Sequence, residues 1–167
     1  MLKILSAALV LQLHNFAGAP APIVESAQRE LARVYAEIGV PVAWVNGDRA
    51  DAAALHIVIV DREAGVLRRT RNTVLGATMW TDNGTPAVYI FYRRVEGEAR
   101  RHGVSLALLL SCALAHELGH VLMPDRGHSS DGLMRACWNG DDFHNANQGQ
   151  LRFNREQIAL MRAVGGR

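Results

Sequence analysis

Little net charge and few cysteines set the first limits on this chain. A formal charge of +2 over 167 residues is too small to draw the polyanionic backbone of a nucleic acid. The basic cluster Arg68, Arg69 and Arg71 has no aromatic residues interleaved with it, and reads as a solvated face beside a loop. The apolar stretch Ile4 to Leu13 is too short and too interrupted to supply the roughly 20 residues that a membrane-spanning helix requires. Cys112 and Cys137 permit one disulfide at most; two buried thiols acting as small apolar residues are the simpler expectation. No repeat, linker or low-complexity tract divides the sequence. Half of the residues are apolar, 49%, which at this length can bury one substantial core, and one domain over residues 1–167 is expected.

The most informative segment is His-Glu-Leu-Gly-His at 116–120, set in the apolar run from Ser105 to Met123. On a helix, residues four apart leave the same face, so His116 and His120 can hold one metal ion. Glu117 projects beside them, where a carboxylate can take a proton from a water activated by the metal. Catalytic zinc has three protein ligands and an open position, so a third ligand must come from elsewhere. Pro124 stops the helix and Asp125, Arg126 and Gly127 read as a turn, which can carry His128 back toward the metal. His128 is the leading candidate, and Asp131, His144 and Glu156 are the alternatives.

This array resembles the metzincins, zinc endopeptidases in which H-E-x-x-H is followed by a glycine turn, a third histidine and a methionine turn. The residues that carry the resemblance are His116 to His120, His128 to Asp131, and Gly132, Leu133 and Met134. It covers the second half of the chain most specifically. The resemblance implies zinc as the one catalytic ion, His116, His120 and His128 as its ligands, Glu117 as general base, and Met134 as an apolar floor. Arg135, Ala136, Cys137 and Trp138 would then form one wall of the specificity pocket. The chain departs from the usual H-E-x-x-H-x-x-G-x-x-H spacing, because the loop before His128 is two residues longer.

The remaining pattern predicts a mixed α/β (α+β) fold. Leu9 to Phe16 suits a buried strand closed by a turn, and Pro22 to Ile38 has helical spacing ended by Gly39 and Pro41. Val42 to Val45 and Leu55 to Val60 read as strands, the latter bounded by Asp51 and Asp61 and apolar enough to be buried on both faces. Thr73 to Trp80 and Ala87 to Tyr92 flank the turn residues Asp82, Asn83 and Gly84, which predicts a hairpin. A short helix from about Val95 ends at Gly103, Ser105 caps the metal helix, and a C-terminal helix over Leu151 to Val164 has Asn154 as its cap. Asn139 to Asn147 reads as a solvated polar loop. The expected sheet is twisted and mainly parallel, with an antiparallel edge strand.

By the metzincin resemblance, that edge strand receives an extended peptide as an added strand. Ala87 to Tyr92 is the candidate, with Ala87, Val88, Tyr89 and Ile90 along the peptide; an ordinary covered strand is the equal alternative. His14, His56 and His102 have no motif around them and are expected to be structural or exposed. Lys3 and the apolar residues Ile4 to Leu13 carry either a short export signal within residues 1–10 or the first strand. Secretion to the periplasm or the extracellular space is expected. The implied activity is a monomeric zinc metallopeptidase acting on peptides or proteins. The alternatives are a zinc-dependent peptide-binding module without catalysis and a metallohydrolase of non-protein substrates with Asp131 or Glu156 as third ligand.

Overall fold

A computed structural model describes residues 8–45, 54–61, 74–82 and 84–165. The expectations for Lys3, Asp51, Arg68, Arg69, Arg71, Thr73 and Asn83 lie outside the described residues. Among those described, the elements in chain order are β1 (Leu9–Asn15), α1 (Ala21–Glu37), β2 (Val42–Val45), β3 (Leu55–Val60), β4 (Gly76–Trp80), β5 (Pro86–Phe91), α2 (Tyr92–His102), α3 (Leu106–Leu122), α4 (Gly140–Asn147) and α5 (Arg155–Gly165). The fold is mixed α/β. The sheet order is β2-β1-β3-β5-β4, parallel throughout except for the antiparallel pair β4 and β5.

Period-two burial explains how the sheet meets the helices. Along β3, Leu55, Ile57 and Ile59 are buried while His56, Val58 and Val60 are only half-buried, so one face carries the helical layer. α3 packs there, and Leu109, Leu110, Leu114 and Leu118 are fully buried. A helix apolar on most sides belongs in the interior, and α3 packs on β4 and β5 and against α1, which itself packs on β2. Tyr35 of α1 is also fully buried; its hydroxyl donates to Ala115 O at 2.9 Å and its ring meets Phe153 edge-on. The apolar run at Leu9–Asn15 is strand β1, flanked on both sides by β2 and β3. No helix of the described residues is long and apolar enough to cross a membrane.

Two expectations need correction. Ala87 to Tyr92 is not the edge: β5 is flanked by β3 and β4, and among the described residues the outer strand is β4. Its physical mark is burial, since Val88, Ile90 and Phe91 are fully inaccessible, as an interior strand requires. Asn139 to Asn147 is largely helical, as α4, because Asn139 and Asp142 form a reciprocal capping box at its start. Ser105 does stand at the N-cap of α3, though its side chain makes no capping bond; its N–H donates to Asn147 Oδ1 at 2.9 Å. Asn154 does cap α5, exchanging bonds with Gln157 at 3.0 Å in both directions.

Candidate metal centre

His116 and His120 stand one turn apart near the end of α3, which stops at Leu122 as Pro124 approaches. Arg126 N–H donates to Met123 O and closes the turn that follows. His128 follows this turn and stands beside His116 and His120. The three rings have centroid separations of 4.9, 5.2 and 4.9 Å. One nitrogen from each of His116, His120 and His128 lies within 4.8 Å of the others. Asp131, His144 and Glu156 are not in this group, and Glu156 pairs with Arg126.

The donors are prepared for a cation rather than for protons. His116 Nδ1–H donates to Leu133 O at 2.6 Å, which leaves its Nε2 lone pair directed to the cluster. Burial pushes His116 down to about 4, helped by the two other imidazoles and opposed by the Leu133 bond. His120 is lowered by burial and by His128. Burial thus favours the unprotonated imidazole at both positions, the form that can bind a metal. Their Nε2 atoms lie 3.2 Å apart, close to the roughly 3.3 Å that separates tetrahedral ligands with 2.0–2.1 Å metal–nitrogen bonds. His128 is the exposed member of the three. Three such imidazoles fit one metal ion.

Behind the histidines, Met134 is fully buried against Gly119. A Cβ at Gly119 would sit 2.5 Å from Met134 Sδ, so the glycine inside the motif makes room for the methionine. Ser129 N–H donates to Met134 O at 2.8 Å, and Ser129 bridges Arg135; the segment after His128 and the methionine turn thus hold each other. Trp138 Nε1–H shares Leu133 O as acceptor at 3.3 Å and meets His116 edge-on.

Glu117 is 6% exposed. Burial pushes its carboxyl up to about 7, against the hydrogen bonds from Thr78. Thr78 Oγ1 on β4 lies 2.9 Å from Glu117 Oε2 and 2.8 Å from the Glu117 carbonyl. The histidines and Glu117 open into a cavity of about 580 Å³. No protein-family model matches the chain, and no curated protein is found similar to it.

The cavity unites most, though not all, of the residues that the sequence singled out. Arg135, Ala136, Cys137 and Trp138 line one side, and β4 contributes Gly76, Ala77, Thr78 and Trp80 to the other. Ala87, Val88, Tyr89 and Ile90 are not among its lining residues, because β5 lies one strand further in. Gly76 and Thr78 are the residues that sequence reasoning missed. Their signal was the small and hydroxyl side chains of Gly-Ala-Thr, set against the apolar continuity of β5. His14 Nε2 and His56 Nδ1 are 3.0 Å apart, and His102 stacks on Phe143 while lining the cavity.

Gly76 admits Glu117 beneath β4: a Cβ there would lie 2.7 Å from Tyr89 O and 2.8 Å from Glu117 Cγ. Backbone cannot yield as a flexible side chain can. Gly76→Ala should destabilise the chain by about 1–3 kcal/mol and reduce any Glu117-dependent catalysis roughly ten- to a hundredfold by displacing the carboxylate. Denaturant unfolding and steady-state rates check this, and unchanged values for both would contradict the close approach.

The two cysteines are free. Cys137 is exposed on the cavity wall, which corrects the expectation of two buried thiols. Cys112 is half-buried, with its thiol enclosed; burial, and then the charge of Glu30, push it up to about 12. A raised pKa keeps the thiol protonated, so at pH 8 only about one Cys112 in 10⁴ is thiolate, the reactive form. Iodoacetamide at pH 8 should label Cys137 alone in the native protein and both residues after denaturation, as peptide mass mapping would show. Equal native labelling would contradict the enclosure of Cys112.

Proposed function

We propose that the chain is a zinc-dependent endopeptidase of metzincin type, with His116, His120 and His128 as zinc ligands and Glu117 as general base. The observation that carries this reading is the convergence of three imidazoles and a buried carboxylate at one cavity beneath an edge strand. A bound zinc ion would supply Lewis acidity toward the scissile carbonyl and toward the attacking water.

The chain's own groups account for the rest. Glu117 accepts the proton of the attacking water and passes it to the leaving amine nitrogen, so the same carboxylate serves as base and then acid. Thr78 holds Oε2 of that carboxylate in place. Leu133 O fixes the His116 ring, and Met134 packs behind the helix at Gly119 so that the ligands cannot retreat. Among the described residues β4 has a neighbouring strand on one side only. Its other side offers main-chain donors and acceptors to an extended peptide, whose side chains then enter the cavity. Edge pairing is indifferent to sequence, which suits a protein or peptide substrate.

A quenched-fluorescence peptide library tests the proposal. Cleavage should be abolished by a chelator, restored by zinc, and lost in Glu117→Ala with the zinc retained. Zinc binding without cleavage of any peptide would favour a binding module or a hydrolase of another substrate.

A further inference from the structure

Two arginines among the described residues line the cavity, and they differ in how their charge is met. Arg101 pairs at 2.7 Å with Glu98, which lines the same cavity, so that pair is neutral toward its interior. The counterion of Arg135 sits behind the wall instead. Asp142 is 5% exposed and is not a lining residue; its Oδ2 accepts the Asn139 N–H at 2.9 Å and lies 2.9 Å from Arg135 Nε. That contact is an ion pair without hydrogen-bond alignment. It anchors the buried inner edge of the guanidinium to the start of α4. The side chain is 31% exposed, and among the described residues no group accepts a hydrogen bond from its two terminal Nη atoms.

The position of this fork matters. Arg135 directly follows Met134, and its backbone bridges Ser129, the residue after His128. A pre-positioned guanidinium therefore rises from the same short segment that carries the third histidine. Planar paired N–H donors match the two oxygens of a carboxylate, and peptides offer carboxylates either on Asp and Glu side chains or at the C-terminus. We propose that Arg135, pinned by Asp142, is a specificity-determining residue that takes a carboxylate of the bound peptide. The assignment rests on the peptidase reading above.

Peptide pairs that differ in one carboxylate separate the two sources. Glu is compared with Gln at each position of peptides blocked at both ends, and a free C-terminal acid with its amide in an otherwise neutral sequence. Each pair is measured for cleavage by the native zinc-loaded protein and for binding to it by fluorescence anisotropy. The acid member of one series should be favoured by about tenfold to a hundredfold, with the ratio falling as salt rises. In Arg135→Gln the ratio should drop to near one, and Arg135→Lys, which keeps the charge but not the fork, should recover part of it. Equal treatment of acid and neutral peptides by the native protein overturns the assignment, as does a preference that survives Arg135→Gln. If that variant fails to fold because Asp142 is left without its partner, the salt series on native protein decides, and a preference insensitive to salt overturns it. Acid-selective binding without cleavage leaves Arg135 assigned and defeats the peptidase reading; cleavage without acid preference does the reverse, and neither binding nor cleavage defeats both.

Discussion

Replacing Glu117 by glutamine should lower peptide hydrolysis by about 10²- to 10⁴-fold, the range of a lost general base, while the metal content stays at that of the native chain. Glutamine keeps the volume of the side chain and can still meet Thr78, so the effect reads proton transfer and not packing. The site is built to make this separation clean. Glu117 is not one of the three clustered nitrogen donors, and its carboxylate is engaged by β4. Elemental analysis and kcat/KM on the same preparation check both halves. A glutamine variant of native activity would remove Glu117 from the mechanism, and one that loses its metal would make Glu117 a ligand.

The second large effect is expected at His128. Its replacement by alanine leaves the two histidines of α3, too few to complete a catalytic zinc shell. Metal bound only to the folded state stabilises it by RT ln(1 + [L]/Kd), about 4 kcal/mol at a thousandfold excess over Kd. For a chain of this size that corresponds to a difference in Tm on the order of 10 °C. Chelation should therefore lower the Tm of the native protein by that order and leave His128→Ala nearly unmoved. Zinc retained at full occupancy in the variant would assign the third ligand to Asp131, Glu156 or another residue.

How much of this was legible in the sequence depended on whether the signal was local. β3 could be read to the residue because Leu55 to Val60 is apolar and mostly β-branched apart from His56, and α1 because its stripe ends at Gly39. His116, Glu117 and His120 were legible for the same reason, since helix geometry alone places them together. His128 was legible from Pro124 and the turn after it, even with a longer loop. The edge strand was not. Whether β4 or β5 is outermost is decided by which strand pairs with β3, and no property of Ala87 to Tyr92 taken alone reports that pairing. The Thr78 contact with Glu117 spans 39 positions of sequence, and the small and hydroxyl side chains of Gly-Ala-Thr hint at close packing without naming Glu117 as the partner. α4 was missed for a different reason: with Phe143 and Ala146 as its buried apolar residues, its pattern is too sparse, and the Asn139 and Asp142 cap was the available sign.

The central claim is that His116, His120 and His128 together hold one metal ion. Equilibrium dialysis of the purified chain against zinc, followed by elemental analysis, tests it without reference to any substrate. One ion per native chain is expected, and none in a folded variant with His116 and His120 both replaced by alanine. A native chain that binds no zinc, or a double variant that binds as much as the native chain, would contradict it.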